Sequence, residues 1–395
     1  MRRLLTCALG ATLLLTAACG NDADPSSTTG TIRLGLIASQ SGPIALQGVQ
    51  FAHGAQLAVD TINDSGGLSG MSGVRLEIEL QDDQGDPQTA RQAVSDLADG
   101  GAAAIVGPYG SGVCLGAAPV VEQVRLPMVC SGGASDLTTQ GYQYLHNIAA
   151  FEGYVPAVFG YLEAHKPDVK SIAVLYEDGP YGTNIFEEAS DQAPARGFTI
   201  GAAISFTSGD PNLRPLVTRA ADSGAGAILV GGLTPDVINV LNAVQTTGNA
   251  GKIQVIGLSG NVVTEQVADL GEAADGVVGI TPWASDLRDR PELDDYLASY
   301  QDEFDTPPGA DAAAGWAAVK MIQAAIEEAG SGDAADIQDA LGTVSIEIGI
   351  MPPATYSFDE TGALKDQESM MLASQLQDGQ FVTVWPEAAA AGSAR

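Results

Sequence analysis

The sequence predicts an α/β fold in two lobes, each a doubly wound and mostly parallel sheet. Two observations carry this. Apolar runs of strand length alternate with stretches of helical apolar spacing from residue 32 to residue 258, which implies parallel strands covered by helices on both faces. The chain also has 395 residues, too many for one ordinary core even after an N-terminal leader is set aside. Right-handed crossovers then leave a doubly wound order within each lobe.

The first strand is expected over 32–38. A helix follows, with Ala52, Ala55, Val59 and Ile62 at helical spacing and Ser65-Gly66-Gly67 as its end. Residues 74–80 alternate apolar with polar as a strand does, and Pro87 opens a helix that runs through Leu97. A buried strand over 102–106, a helix over 111–124 and a short strand over 127–130 complete the first run. The rhythm resumes with a helix over 154–165. Strands are expected over 171–176, 199–206, 227–230 and 253–258, with helical stretches between them. The late region departs from this pattern: two long helices (291–304 and 311–328), strands at 355–358 and 380–385, and a frayed tail from Ala388.

The N-terminus has the layout of a secretory signal. Arg2 and Arg3 precede an apolar run to Leu15, too short to span a membrane, and Thr16-Ala17-Ala18 places small residues before Cys19. With cysteine at the cleavage point it resembles a bacterial lipobox, although Thr16 stands where leucine is commonest. The resemblance implies a signal peptide over 1–18, lipid on Cys19 and a polar tether over 19–30. Of the four cysteines, Cys114 and Cys130 then remain. Outside the cytoplasm such a pair can oxidise, and both are expected at the same edge of the first sheet, so a disulfide is expected, with two buried thiols as the alternative.

Aspartate and glutamate outnumber lysine and arginine 49 to 17, a net charge of −32. Such a surface repels phosphate backbones and excludes nucleic acid as a partner. The three histidines are scattered, and four Cys or His ligands at short spacing are missing, so no metal is expected.

Ligands of open α/β sheets bind beyond the carboxyl ends of the strands. Two loops stand out there. Gly107-Pro108-Tyr109-Gly110-Ser111-Gly112 runs from a strand into a helix and offers backbone N–H groups and a hydroxyl at the positive end of a helix dipole. Ser131-Gly132-Gly133-Ala134-Ser135 follows the next strand with the same chemistry. Either the pair cradles an anion such as a carboxylate, or both are tight turns whose serines cap helices. Neither is a nucleotide motif, since the first has no lysine and no GxGxxG follows the first strand. No GxSxG elbow or HExxH is found, and adjacent acids such as Asp82-Asp83 read as solvated turns, so no catalytic residues, no cofactor and no enzyme activity are expected.

At this point the residues resemble a family. Residues 32–63 with the Ser65-Gly66-Gly67 turn are similar to the opening of the branched-chain amino-acid binding proteins, type I periplasmic binding proteins that deliver solutes to ABC importers. The likeness continues through Gln81-Asp82-Asp83, Asp86-Pro87, Ile105-Val106-Gly107-Pro108, Ser131 to Thr138, Tyr181-Gly182 and Phe358-Asp359. It implies two lobes joined by three crossovers: 31–148 with 283–346, and 149–282 with 347–386, leaving 387–395 as a tail. It also implies a small-molecule ligand held by Tyr109, Ser111, Gly133, Ala134 and Ser135, with Tyr181 closing the site from the second lobe, and ABC permease subunits as partners. Leu233 lies in the loop that carries a tyrosine in amino-acid-binding relatives. Ser259 stands where those relatives place the acid that pairs with the ligand's ammonium.

Either Asp178 or Asp236 therefore substitutes for that acid, or the ligand is not a standard α-amino acid. Gln47 replaces an aromatic of some relatives, and Trp283 and Trp316 either line the cleft or belong to the core. The expected function is a lipid-anchored extracytoplasmic binding protein that captures an amino acid or related carboxylate or amide by lobe closure. A ligand sensor for a signalling partner is the alternative.

Overall fold

The computed structural model describes residues 30–258 and 261–395. Cys19 and the leader therefore lie outside the described residues, as does Ser259.

The first sheet has the order β2-β1-β3-β4-β5 and is parallel throughout. Its strands are β1 (Thr31–Ile37), β2 (Arg75–Gln81), β3 (Ala104–Tyr109), β4 (Met128–Ser131) and β5 (Leu145–Asn147). Side chains alternate across it as the pleat requires. Ala104 and Val106 join the core under α1 (Ala45–Asp64) and α11 (Ala310–Ala329), whereas Ile105 joins the core under α2 (Pro87–Asp99) and α3 (Ser111–Val124).

The second sheet has the order β12-β11-β10-β9-β8-β6-β7. Five of its strands are parallel: β6 (Ser171–Glu177), β7 (Thr199–Phe206), β8 (Ala227–Gly231), β9 (Gln254–Leu258) and β10 (Val278–Thr281). Ile172 and Val174 face the core under α5 (Tyr154–His165) and α6 (Pro180–Gln192). Ala173 and Leu175 face the core under α7 (Arg214–Asp222) and α8 (Thr234–Thr246). The antiparallel hairpin β11 (Leu372–Gln377) and β12 (Gln380–Trp385) closes one edge, and two single-turn helices, α4 (Asp136–Thr139) and α9 (Glu265–Ala268), follow β4 and β9. Helices α10 (Pro291–Phe304), α11 and α12 (Ala334–Leu341) return to the first sheet, where α10 and α11 pack on α1 and α12 packs on α11. The chain thus passes between the two sides three times.

The five parallel strands of each sheet share one order, with the sequence reversing direction between β1 and β3 in the first and between β6 and β8 in the second. Each reversal opens a crevice at the carboxyl ends of those strands. The site is built there.

Three expectations are corrected, and one open choice is narrowed. Residues 355–358 form no strand: Tyr356 and Phe358 make only isolated bridges, to Ile346 and Leu364. The C-terminal residues do not fray, because Ala391 donates to the Thr383 carbonyl and the Arg395 N–H donates to Gln375 Oε1. Cys114 and Cys130 are free, buried thiols rather than a disulfide. Cys114 Sγ instead sits 3.3 Å from the Pro108 carbonyl oxygen, and burial holds its thiol well above the usual cysteine range. Of the two readings open for Trp283 and Trp316, burial favours the core. Trp283 is buried and donates its indole N–H to the Ile350 carbonyl, and Trp316 packs edge-on against Tyr296.

Candidate functional site

A cavity of about 200 Å³ lies between the facing ends of the two sheets. From the first sheet it is lined by Tyr109, the α3 N-terminus from Gly110 to Val113, and Ser131 to Gly133. From the second side come Tyr154, Glu177, Pro180, Tyr181, Ser208, Leu233 and Asn261.

The first-sheet wall is built from the start of a helix and two glycine-bearing loops. Gly110 has a φ of 96°, which turns the chain from β3 directly into α3 and leaves the first N–H groups of that helix without intrahelical acceptors. A Cβ at Gly112 would meet nothing within 4 Å, so the helix start is open to the cavity. The Ser111 hydroxyl accepts the Gly133 N–H at 2.9 Å and so ties the two glycine-bearing loops together. Gly133 is required for a second reason. A Cβ there would stand 2.7 Å from Tyr181 Cδ2, so the tyrosine ring lies against bare backbone.

Ala134 and Ser135 do not line the cavity; Ser135 forms part of a contact between the two sides. Ser135 donates its N–H and its hydroxyl to Asn184 Oδ1, at 3.2 and 2.6 Å. Asn184 on α6 in turn donates to the Gly133 carbonyl at 3.5 Å and to Glu188 Oε1 at 2.9 Å. Gln47 makes a separate bridge from α1. It is buried and donates through Nε2 to Thr234 Oγ1 and Asn261 Oδ1, at 3.2 and 3.1 Å.

The acids fall differently from expectation. Asp178 is exposed and accepts from the Thr207 hydroxyl. Asp236 is fully buried, but its carboxylate accepts from Ser208 Oγ, the Gly209 N–H and the Leu233 N–H, and so serves as a cap for α8. The acid in the cavity is Glu177, the last residue of β6. Its two oxygens accept from the N–H groups of Gly179 and Gly182 at 2.6 and 2.8 Å, which fixes it at the start of α6. Burial pushes its carboxyl above the usual range, against the pull of those two amides. The strand-end rule that selected the two glycine loops also selects Glu177, one residue before Asp178.

Lysine, arginine and histidine are all missing from the lining. Among the described residues, no group of three or more His, Cys, Asp or Glu is placed to hold a metal ion. The site offers a helix N-terminus on one wall and a carboxylate on the other, with Tyr109, Tyr154 and Tyr181 between them. It can bind a small polar molecule.

The chain matches the periplasmic binding protein family over residues 31–380. It belongs to that family. Membership implies an extracytoplasmic location and a role in solute binding rather than catalysis. The chain is similar to a leucine-, isoleucine-, valine-, threonine- and alanine-binding protein of Pseudomonas aeruginosa, at 26% identity over 86% of this chain and 89% of the relative. It is 27% identical to Leu/Ile/Val-binding protein homolog 7 of Brucella melitensis, over 92% of this chain and 94% of that one. Among solved structures, a leucine binding protein from Thermotoga maritima superposes with a TM-score of 0.76 at 21% identity, covering 89% of this chain and 97% of its own. An ABC-transporter solute binding protein from Rhodopseudomonas palustris, in complex with 3,4-dihydroxybenzoic acid, gives 0.76 at 22% identity, covering 89% and 95%. These two likenesses establish the fold.

Proposed function

We propose that this protein is the solute-binding component of an ABC importer and that it captures an α-amino acid by closing two lobes around it. Related small carboxylates and amides form the wider ligand class. The lobes are taken as 31–148 with 283–346, and 149–282 with 347–386. Cys19 carries the lipid that anchors the protein to the membrane, and ABC permease subunits receive the closed form.

One observation carries the ligand class: the α3 N-terminus and the Glu177 carboxylate face one cavity whose lining holds no cationic side chain. An α-carboxylate is favoured at a helix N-terminus by its free N–H groups and its dipole. An α-ammonium taken out of water needs a counter-charge, and Glu177 supplies it. A ligand with both charges leaves neither end unpaired.

The test is a thermal-shift screen of the unlipidated protein against α-amino acids, their amides and the deaminated acids. Amino acids as a class should raise the melting temperature most, since a ligand that binds only the folded state stabilises it in proportion to ln(1 + [L]/Kd). Stabilisation by deaminated acids alone would contradict the reading.

A further inference from the structure

A second chamber lies behind the aromatic wall of the cavity. Tyr109, Ser131, Ala149 and Tyr154 line both, and the second measures about 20 Å³. That is room for roughly one water-sized group. Beyond them the chamber is walled by apolar side chains of the returning segment, Met351 and Met370 among them. Two polar groups interrupt this apolar wall. Asp311, at the start of α11, is only 4% exposed, and it accepts a hydrogen bond from the Tyr109 hydroxyl. Tyr356 is 1% exposed, and its hydroxyl is buried with no hydrogen-bond partner among the described residues.

A carboxyl, ionised or protonated, keeps acceptor capacity beyond the site that the Tyr109 hydroxyl takes. Holding such a group in an apolar chamber is costly unless a further donor reaches it. Tyr109, Ser131, Ala149 and Tyr154 are common to both chambers, so the far end of a ligand in the larger one stands against the wall of the smaller.

We propose that the small chamber is the distal end of the ligand site, and that the Asp311 carboxyl there accepts a hydrogen bond from a hydroxyl or ammonium group on the ligand. The inference rests on the amino-acid reading above and narrows it to side chains that end in a donor. A site built to bond such a group discriminates against the analogue that lacks it, because the buried acceptor is then left unpaired.

Calorimetry with near-isosteric pairs tests this: valine and threonine, norvaline and homoserine, norleucine and ornithine, phenylalanine and tyrosine. In at least one pair the donor-bearing member should bind tenfold or more tightly than its partner. Asp311→Leu, close in shape, should bring that ratio to within threefold of unity. Asp311→Ala provides the same reading should the leucine variant fail to fold. Binding without a donor preference in any pair overturns the inference and leaves the amino-acid reading intact. So does a preference that survives in either folded variant. Failure of every compound to bind overturns the amino-acid reading, and this inference with it.

Discussion

Loss of the Ser111 hydroxyl leaves the Gly133 N–H, now held at 2.9 Å, without its acceptor inside the closed site. Ser111→Ala should therefore cost about 1–3 kcal/mol, the usual penalty for an orphaned buried donor. Part of this should appear in denaturant unfolding and part as roughly tenfold weaker binding by calorimetry, because Gly133 backs Tyr181. Asp311 makes a prediction of a different kind. Burial pushes its carboxyl up to about 7, whereas an unfolded aspartate titrates near 4. The folded state thus retains a proton that the unfolded state has released, so this group's contribution to stability falls as pH rises from about 4 to about 7 and is level above that. Unfolding free energies at pH 4.5 and pH 7.5 should differ less in Asp311→Asn than in the wild type. An unchanged difference would show that Asp311 is ionised in the fold. At this scale the sequence was legible where chemistry and strand end coincided, as for Tyr109, Ser111 and Gly133. It was not legible for Asp311, because position 311 reads only as the first turn of a helix until the second chamber is seen beside it. Nor could the sequence show that Asp236 is consumed by three donors.

Helices α1 and α11 meet backbone to backbone. A Cβ at Gly315 would stand 2.0 Å from the Phe51 carbonyl oxygen, and one at Gly54 would stand 1.8 Å from that of Ala312. Gly315→Ala forces the helices apart and should cost about 1–3 kcal/mol, as overpacking of a filled core does. Thermal unfolding checks it, and an unchanged midpoint would show that the helices separate freely. Because α1 carries Gln47 and α11 carries Asp311, this packing also sets their places. Most elements were legible from period alone, since long amphipathic helices and buried strands announce themselves. Two short ones did not: β5 and β10 have 3 and 4 residues, too few for a periodic signal. The β11–β12 hairpin was half seen. Its turn is Asp378-Gly379, with φ of 54° and 83°, the type I′ pair that joins two-residue hairpins, and that dipeptide identifies β11 as the partner of β12.

Across the whole molecule, Gln47 and Asn184 bridge the two sides without lining the cavity. Each bond exists only when the sides are together, so each favours the closed form by the ordinary net value of a hydrogen bond, about 0.5–1.5 kcal/mol. Gln47→Ala and Asn184→Ala should each weaken every ligand by one common factor, a few-fold to tenfold, and should enlarge the radius of gyration by X-ray scattering. Factors that differ from ligand to ligand would mean that these side chains touch the solute. The surface charge adds a further constraint on what can be carried. With a net charge of −32, the protein repels anions at long range, so a zwitterion approaches the cleft with less penalty than a free carboxylate.

The most direct test of amino-acid capture is calorimetry of leucine against its deaminated counterpart, 4-methyl-2-oxopentanoate, in the wild type and in Glu177→Gln. The expected result is a wild-type preference for leucine worth about 1.5–3 kcal/mol, roughly ten- to over a hundredfold, which collapses when Glu177 loses its charge. Equal affinities in the wild type, or a preference untouched by Glu177→Gln, would contradict the pairing of an ammonium with this carboxylate.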